Sequence, residues 1–331
     1  MTAERLLEIT ALKVDLIING SSRTVIHDVT LPIAAGESVG LVGESGSGKS
    51  MTARAVVGLL PPRARIQGDI LFGGTSVPSL RGKELRNYRR TGIAIIHQNP
   101  RSHINPVRTI GSFMTEALIA SGEPHDAAEE RVVAALADVG IPDGTRRLRQ
   151  YPHQLSGGLL QRVMIATAVV AQPRLLIADE PTSALDVTTQ EEVMAIIDDL
   201  RREHGLAMLF ISHDLELTAA VTDRIAVMYA GMLVEDAPTE MLHAPLHPYT
   251  AGLLAARPGV RESRRLWAIP GRPMSAFEVG RGCVFAARCP FVMEKCRAER
   301  PRRLPLAGHF VACHRAEELQ GQLTYETMTR P

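Results

Sequence analysis

Buried strands and amphipathic helices alternate along the first part of the chain, through about residue 235. The apolar run Val39-Gly40-Leu41-Val42 predicts a buried strand, and the pattern at residues 52–60 predicts a helix that ends at Pro61-Pro62. A second apolar run, at residues 175–180, predicts another buried strand. Strands that alternate with helices in this way indicate an α/β fold.

The alternation of predicted strands and helices is interrupted in two places. Residues 101–172 carry mostly helical patterns, such as the one at residues 127–139. Further along, prolines, arginines and short segments replace the alternation. We therefore predict a large domain at residues 1–243 and a small C-terminal extension at residues 244–331.

A glycine-rich segment follows the first predicted strand: Gly43-Glu44-Ser45-Gly46-Ser47-Gly48-Lys49-Ser50, with Met51 after it. It matches the pattern G-x-x-x-x-G-K-[ST], in which backbone N–H groups and a helix N-terminus face a phosphate. Lys49 would reach the β- and γ-phosphates, and Ser50 would bind Mg²⁺. A chance glycine-rich turn is the alternative, but the strand before the loop and the helix after it argue against that. The sequence predicts a nucleoside triphosphate site.

Two carboxylates, Asp179 and Glu180, end the predicted strand at residues 175–180. Successive side chains of a strand point to opposite faces, so we expect these two to diverge and to take different roles. We assign Asp179 to the Mg²⁺ shell, usually through water, and Glu180 to polarising the attacking water. Acidic residues also end strands because they are solvated there or cap the next helix.

A serine and two glycines precede another apolar helical run, at residues 163–170. Ser156 is a natural N-cap, and Gly157 and Gly158 leave the first turn bare, so this helix terminus is able to face an anion. A serine-capped core helix is the simpler explanation, and these residues alone favour it.

Together, these motifs resemble the nucleotide-binding subunit of an ATP-binding cassette (ABC) transporter. That family's order is kept here by the glycine-rich loop, Gln98, Ser156-Gly157-Gly158, Asp179-Glu180, Asp186 and His213. The resemblance implies a P-loop ABC ATPase with a RecA-like core, an antiparallel β subdomain and a helical subdomain at about residues 101–172. The outer surface of that helical subdomain would receive a helix from a membrane subunit.

The resemblance also implies individual roles. In this family two domains pair head to tail, so Ser156, Gly157 and Gly158 would contact the nucleotide held by the partner. Gln98 would touch Mg²⁺ and His213 the γ-phosphate, while Asp186 would lie in the loop that crosses the dimer interface. A lone glutamine after a strand is usually a surface residue, and a lone histidine is usually structural. The roles of Gln98 and His213 therefore rest on the order of the motifs along the chain.

One departure from the family concerns the base of the nucleotide. The family usually stacks the adenine ring on an aromatic residue before the phosphate loop, but residues 19–30 contain no Phe, Tyr or Trp. The guanidinium of Arg23 could stack instead, or Val25 and Ile26 could provide apolar cover. A second departure lies in the family's signature motif, which here contains Ser156, Gly157 and Gly158. The family usually has a polar pair after these glycines, and this chain has Leu159-Leu160.

Charge and composition indicate which classes of partner to expect and where the protein lies in the cell. The chain has 331 residues and a formal net charge of +1, which gives no reason to expect nucleic acid as a partner. No apolar stretch approaches the length of a spanning helix, and the first five residues do not begin a signal peptide. We expect a cytosolic protein that is peripheral to the cytoplasmic face of the cell membrane through other subunits.

All four cysteines, Cys283, Cys289, Cys296 and Cys313, lie in the extension. In a cytosolic protein such a group indicates zinc or an iron-sulfur cluster more than disulfides. The short C-x2-4-C knuckle of zinc sites is missing, and Cys289-Pro290 resembles the Cys-Pro step of cluster-binding loops. Zinc and free reduced cysteines remain alternatives, and His309 or His314 could replace one ligand.

A narrower resemblance follows from the extension. His247-Pro248-Tyr249-Thr250 and the segment from Gly282 to Pro290 look like the C-terminal extension of the dipeptide, oligopeptide and nickel group of ABC importers. In the peptide-importing members four cysteines hold a 4Fe-4S cluster, which the resemblance assigns to the four cysteines here.

The function that the resemblance implies is an ATPase subunit of a bacterial peptide importer. Such subunits use ATP and Mg²⁺, pair with a second, different ATPase chain, and work with two membrane permease subunits and an extracytoplasmic substrate-binding protein. Because substrate contacts lie on other chains, an importer of nickel or another small solute is the first alternative. A non-transport ABC ATPase and a module that binds ATP without turnover are the others.

Overall fold

The computed structural model describes residues 4–183, 185–256 and 267–329. The chain forms two compact units. The first comprises Met1–Leu6, Ile33–Ser38 and Ser79–Phe210, and the second comprises Leu7–Pro32, Val39–Pro78 and Ile211–Pro331. Across the parts of the chain described, no helix is both long and apolar enough to cross a membrane.

The strands of the described residues are β1 (Arg5–Ile18), β2 (Ser21–Ala34), β3 (Ser38–Val42), β4 (Arg65–Phe72), β5 (Thr75–Ser76), β6 (Ile93–Ile96), β7 (Leu175–Asp179), β8 (Ala207–Ser212), β9 (Arg224–Tyr229), β10 (Met232–Pro238), β11 (Leu304–Leu306) and β12 (His309–Val311).

The α-helices are α1 (Lys49–Val57), α2 (Gly82–Asn87), α3 (Pro100–His103), α4 (Ile110–Ala120), α5 (His125–Asp138), α6 (Gly144–Leu148), α7 (Gly157–Val170), α8 (Val187–Glu203), α9 (Leu215–Ala219), α10 (Pro248–Ala255), α11 (Glu294–Ala298), α12 (Ala316–Leu319) and α13 (Tyr325–Thr329).

The second unit is built on two sets of strands. One is a sheet in the order β2-β1-β4-β5, in which β4 pairs antiparallel with both β1 and β5. In the other, β11, β12, β10, β9 and β3 follow one another. Here β3 runs parallel to β9, while β9, β10, β12 and β11 pair antiparallel. Every residue of β3 is buried, as its unbroken apolar pattern predicts.

Helix α1 differs from its predicted bounds. It begins at Lys49 and ends at Val57, well before the prolines that were expected to end it. Gly58 has a left-handed φ of 70° and closes the helix: its N–H donates to the carbonyl of Ala55, and that of Leu59 donates to Arg54. The prediction was wrong because a glycine C-cap ends a helix earlier than the next proline can.

The first unit places two parallel strands side by side. Strand β6 pairs with β7, with Ile93 opposite Leu175 and Ile96 opposite Ala178, and β8 lies on the other side of β7. Helices α4 and α7 both pack against α5. The helix predicted at residues 127–139 is confirmed to within two residues.

The C-terminal extension shares its core with the rest of the second unit. Strand β12 pairs antiparallel with β10, so the extension continues that strand series. Tyr249 and Phe285 of the extension belong to one buried cluster with Val42 of β3 and with Val227 and Tyr229 of β9. The ring centroids of Tyr249 and Phe285 lie 5.3 Å apart, and those of Tyr229 and Phe285 lie 5.4 Å apart. Part of the apolar packing of this segment is therefore shared with the neighbouring strands.

A buried carboxylate, Glu235 of β10, organises the start of the extension. It accepts hydrogen bonds from the N–H groups of Leu246 and His247, at 2.7 and 3.1 Å, and contacts Nδ1 of His309 at 2.8 Å. Because a buried carboxylate needs such partners, these contacts fix where α10 begins.

We expect a histidine in this region to make stability sensitive to acid. His247 is buried, and its Nδ1 accepts the N–H of Tyr249 at 3.0 Å, which caps α10. Burial lowers the pKa of His247 to about 4. The unfolded chain binds this proton near pH 6.5, so the free energy of unfolding should fall by about 2 kcal/mol between pH 7 and pH 5.

The variant His247→Asn separates this effect from general acid sensitivity. Asparagine caps a helix without titrating, so the variant should lose less stability between pH 7 and pH 5 than the parent chain does. Urea unfolding at both pH values measures this. An equal loss in the two proteins would contradict the role of His247.

Candidate nucleotide site

The glycine-rich loop of residues 43–48 joins β3 to α1 in the second unit, and residues 49–51 form the first turn of that helix. Gly46 and Gly48 have left-handed φ angles of 79° and 108°, and Gly48 is the N-cap of α1. A Cβ atom at Gly43 would lie 2.0 Å from the carbonyl oxygen of Met228, so only glycine fits there. The loop thus exposes backbone N–H groups at a helix N-terminus, which is the arrangement that binds phosphate.

The side chain of Lys49 folds back over this loop. It is only 5% exposed, and its Nζ donates to the carbonyl oxygens of Gly43 and Glu44 at 2.7 and 3.2 Å. Ser50 follows it and is exposed, and Met51 is half-buried. The loop therefore combines a helix terminus, a cation and an exposed hydroxyl within a few residues.

Sequence reasoning missed the partners of Glu44, the second residue of the loop. Its backbone N–H donates to the hydroxyl of Tyr249 at 2.9 Å. Its carboxylate accepts two hydrogen bonds from Arg288, at 2.6 and 3.1 Å. Tyr249 and Arg288 both belong to the extension motifs that carry the family resemblance, and that was the available signal.

The guanidinium of Arg288 donates hydrogen bonds to several acceptors. Its side chain is 4% exposed, and besides Glu44 it donates to the carbonyls of Ile269 and Pro270 and to the hydroxyl of Tyr229. Burial works against the charge, but the bonds to Glu44 and Tyr229 outweigh it and raise the pKa of Arg288. A permanently charged clamp from the extension thus holds the phosphate-binding loop.

In the first unit, the ends of two strands bring Gln98 and Glu180 together. Ile96 of β6 lies opposite Ala178 of β7, and each candidate residue stands two positions further on. The amide of Gln98 donates to Oε2 of Glu180 at 3.0 Å. The parallel register therefore pairs these two side chains.

The reason given for Glu180 from the sequence was wrong in part. Strand β7 ends at Asp179, and Glu180 has a left-handed φ of 49°, so strand alternation does not orient it. Such a conformation at a residue with a side chain costs about 1–3 kcal/mol and concentrates at functional sites. Asp179 is half-buried at the end of the strand.

Two helix N-termini of the first unit carry the signature residues and Asp186. Ser156 caps α7 by accepting the N–H of Leu159 at 3.3 Å, and both Ser156 and Gly157 are exposed. A Cβ at Gly158 would lie 3.0 Å from Cγ2 of Thr189, near the start of α8. Asp186 caps α8 through Thr189, and these hydrogen bonds lower the pKa of its carboxyl.

His213 directly follows β8 and is exposed, in the second unit. The next residue, Asp214, caps α9 by accepting from the N–H groups of Glu216 and Leu217. The candidate residues therefore fall into two sets. Gln98, Ser156, Asp179, Glu180 and Asp186 lie in the first unit, whereas the loop and His213 lie in the second.

The four cysteines line one small cavity of the second unit, of about 10 Å³. All four are free thiols, and Cys296 is buried. Burial raises the pKa of Cys289 to about 12 and that of Cys313 to about 11, and it also raises the pKa of Cys283. Within the part of the chain that is described, no three His, Cys, Asp or Glu side chains already form a metal-binding group.

The two histidines considered as substitute ligands have other partners. His309 contacts the buried Glu235. His314 donates from Nε2 to the carbonyl of Glu299 at 3.0 Å, although it lines the cysteine cavity as well.

Comparison with known proteins identifies the family of the chain. The family model described as ABC transporter matches residues 26–183, and that of the oligopeptide/dipeptide transporter C-terminal region matches residues 234–296. The oligopeptide transport ATP-binding protein OppD of Salmonella typhimurium is 40% identical over 96% of this chain and 95% of its own. This chain belongs to the family of oligopeptide and dipeptide ABC transporter ATP-binding proteins.

Other members and solved structures extend the comparison. The dipeptide transport ATP-binding protein DppD of Escherichia coli is 41% identical over 87% of this chain and 90% of its own. The dimeric ATP-binding cassette MJ0796, bound to ADP and Pi, superposes with a TM-score of 0.63 at 26% identity over 70% of this chain and 98% of its own. CbiO1 from Clostridium perfringens gives 0.63 at 25% identity over 72% of this chain and 91% of its own. The predicted P-loop ABC ATPase fold is confirmed.

The hydroxyl of Tyr249 gives a direct test of how the extension supports the loop. Tyr249→Phe leaves the buried ring in place and removes the acceptor of the Glu44 N–H, so the loop should lose part of its preorganisation. We expect ATP affinity of the isolated chain to fall by about 2- to 10-fold, the loss of one hydrogen bond. Calorimetric titration with Mg-ATP measures it.

Tyr151→Phe is the matched control, because Tyr151 is 39% exposed and lies in the first unit. It should bind ATP as the parent chain does. If Tyr249→Phe also retains full affinity, the contact with Glu44 is not needed for the loop to bind nucleotide.

Proposed function

We propose that this chain is the ATP-hydrolysing subunit that powers the import of di- and oligopeptides through a membrane ABC transporter. The observation that carries the proposal is the relationship to OppD over 96% of this chain, which includes the extension as well as the cassette. The names of these relatives refer to oligopeptides and dipeptides, which favours peptides over nickel as the solute.

The loop of the second unit would bind the triphosphate. Its N–H groups and the N-terminus of α1 would hold the phosphate oxygens, and Lys49 would neutralise the β- and γ-phosphates. Ser50 would donate its hydroxyl oxygen to Mg²⁺, together with Gln98 and Asp179. A metal ion held by these residues would supply positive charge that offsets the charge developing on the phosphates.

Hydrolysis needs a group that orients water, and Glu180 is our candidate. Its contact with Gln98 at 3.0 Å supports this role, because the amide fixes the position of one carboxylate oxygen. His213 would contact the γ-phosphate. The left-handed backbone of Glu180 is the kind of strain that functional sites retain.

A second cassette would complete the site. The exposed N-terminus of α7, with Ser156, Gly157 and Gly158, would face the nucleotide of a partner cassette, and Asp186 would lie at the interface between the two. The dimeric form of the related cassette MJ0796 supports this assembly.

The other partners follow from the transporter family. We infer a second, different ATPase chain, two membrane permease subunits and, indirectly, an extracytoplasmic binding protein. The cassette would comprise residues 1–243, with a helical subdomain at about residues 101–172 that receives a permease helix. The extension would comprise residues 244–331, and the chain would lie at the cytoplasmic face of the membrane.

The first prediction of this proposal concerns turnover. Glu180→Gln keeps the shape of the side chain but removes its basicity, so phosphate release by the assembled transporter should fall by at least about 100-fold while ATP binding is retained. The measurement is steady-state phosphate release beside equilibrium binding of Mg-ATP.

Glu191→Gln, an exposed glutamate of α8, is the matched control and should turn over normally. Near-normal turnover of Glu180→Gln would rule out Glu180 as the base, provided that the companion ATPase chain is itself made inactive.

We also propose that Cys283, Cys289, Cys296 and Cys313 bind one 4Fe-4S cluster, with zinc as the alternative. Four thiols line one cavity and no disulfide joins them, so the chemistry of the donor set suits either group, although these side chains do not already form a metal-binding group. Their raised pKa values mean that binding must release protons. A cluster here would tie together the loop-rich segment that carries Arg288.

Metal analysis tests this assignment. Protein purified without oxygen should be brown and contain iron and acid-labile sulfide in about equal amounts, and Cys289→Ser should lose both. Stoichiometric zinc in colourless protein would replace the cluster by a tetrathiolate zinc site. Absence of metal and of sulfide would contradict both.

A further inference from the structure

A cavity of about 430 Å³ lies in the second unit, between the start of β2 and the extension. On one side it is lined by Arg23 and His27 of β2, and on the other by Phe277, within the short helical turn Ala276–Glu278. Three hydroxyl side chains complete much of its wall: Ser21, Ser22 and Thr24. An aromatic ring, a guanidinium and several hydrogen-bonding groups therefore line one open, mostly polar cavity.

The wall of this cavity is continuous with the phosphate-binding loop. The N–H of His27 donates to the carbonyl of Gly231 at 2.8 Å, and the N–H of Gly231 donates to the carbonyl of Ser47 at 2.8 Å. A Cβ at Gly48 would lie 3.4 Å from the carbonyl oxygen of Val25, which precedes the cavity residue His27 by two positions. Backbone hydrogen bonds through Gly231 therefore connect the loop to His27 in the wall of this cavity.

The extension is fixed against this wall. The ring of His27 donates from Nε2 to the carbonyl of Ala276 at 2.8 Å. A Cβ at Gly231 would lie only 3.3 Å from Cβ of Ala276. The turn that follows is held in shape by a capping box between Ser275 and Glu278. Phe277 thus stands on an ordered turn, yet 42% of it is exposed.

An ordered, half-exposed aromatic ring beside a polar cavity is suited to stack on a planar ring. Every nucleobase has a planar face, whichever hydrogen-bonding groups it carries. Stacking of that face on an aromatic side chain contributes a substantial part of the affinity of a protein for a nucleotide. Arg23, exposed on the opposite wall, has a planar guanidinium that stacks in the same way. Residues 19–30 contain no aromatic side chain of their own.

We propose that this cavity holds the base and ribose of the nucleotide whose phosphates bind the loop, and that the extension supplies the stacking residue, Phe277. The proposal rests on the proposed ATPase function and adds a role for the extension in it. Nucleotide affinity then depends on a side chain that stands more than 200 positions after the loop in the sequence.

The test compares two ligands that share the phosphates and differ in the base. Equilibrium binding of Mg-ATP and of Mg-tripolyphosphate is measured by calorimetry for the full chain and for Phe277→Ala. We expect ATP affinity to fall by about 5- to 100-fold, the range found when one stacking partner is removed, while tripolyphosphate affinity stays unchanged.

Phe310→Ala is the matched control, because Phe310 is also an exposed aromatic of the extension, at 48% exposure, but does not line the cavity. It should bind both ligands as the parent does. Phe277→Trp should keep ATP affinity, and its fluorescence should be quenched by ATP and not by tripolyphosphate, beyond any change at the native Trp267.

Three outcomes would overturn the proposal. ATP affinity of Phe277→Ala equal to the parent's would remove Phe277 from the site. An equal loss for ATP and tripolyphosphate would mean that Phe277 supports the loop and not the base. If the parent binds neither ligand while Lys49→Ala behaves identically, the ATPase function itself fails, and the stacking role fails with it.

Discussion

The bidentate ion pair between Arg288 and Glu44 is the contact on which the phosphate-binding loop and the extension both depend. The guanidinium is 4% exposed and has given up its water, so its donors must find acceptors within the protein. Glu44 supplies two of them, and the carbonyls of Ile269 and Pro270 supply others. Loss of one partner of such a pair leaves a buried charge uncompensated, at a cost of about 3–5 kcal/mol. Loop and extension are therefore each incomplete without the other.

This dependence explains how so short an extension keeps a defined structure. The extension packs some of its apolar side chains among themselves, such as Ala251, Leu319 and Met328. It shares a cluster with Val42 and Val227 of the neighbouring strands, and β12 takes its hydrogen bonds from β10. The cysteine cavity adjoins the same framework, because Cys289 directly follows Arg288 in the chain. The segment that clamps the loop therefore also carries one of the four cysteines.

Local signals in the sequence were enough to predict the loop and the ends of the strands around it. The strand before Gly43, the glycines and the helix after them lie within a few residues of one another, so each is encoded where it forms. The contacts of Glu44 could not be predicted in that way, because Arg288 is 244 positions away and no periodicity connects them. The cavity that Phe277 lines with residues 21–24 of β2 could not be predicted for the same reason, because its walls are far apart in the sequence.

The backbone at Glu180 shows a different limit of sequence reasoning. Alternation along a strand predicts that the side chains of Asp179 and Glu180 point to opposite faces. However, β7 ends at Asp179, and the left-handed backbone of Glu180 sets the direction of its side chain. The carbonyl of Glu180 is held by the N–H and the hydroxyl of Ser183, at 3.3 and 3.2 Å, which helps to offset the strain. The register of β6 on β7 then brings Gln98 to the carboxylate. A pattern of apolar positions gives the strand, whereas its end at Asp179 and the pairing of Gln98 with Glu180 require the register and this single turn, which no pattern of hydrophobicity encodes.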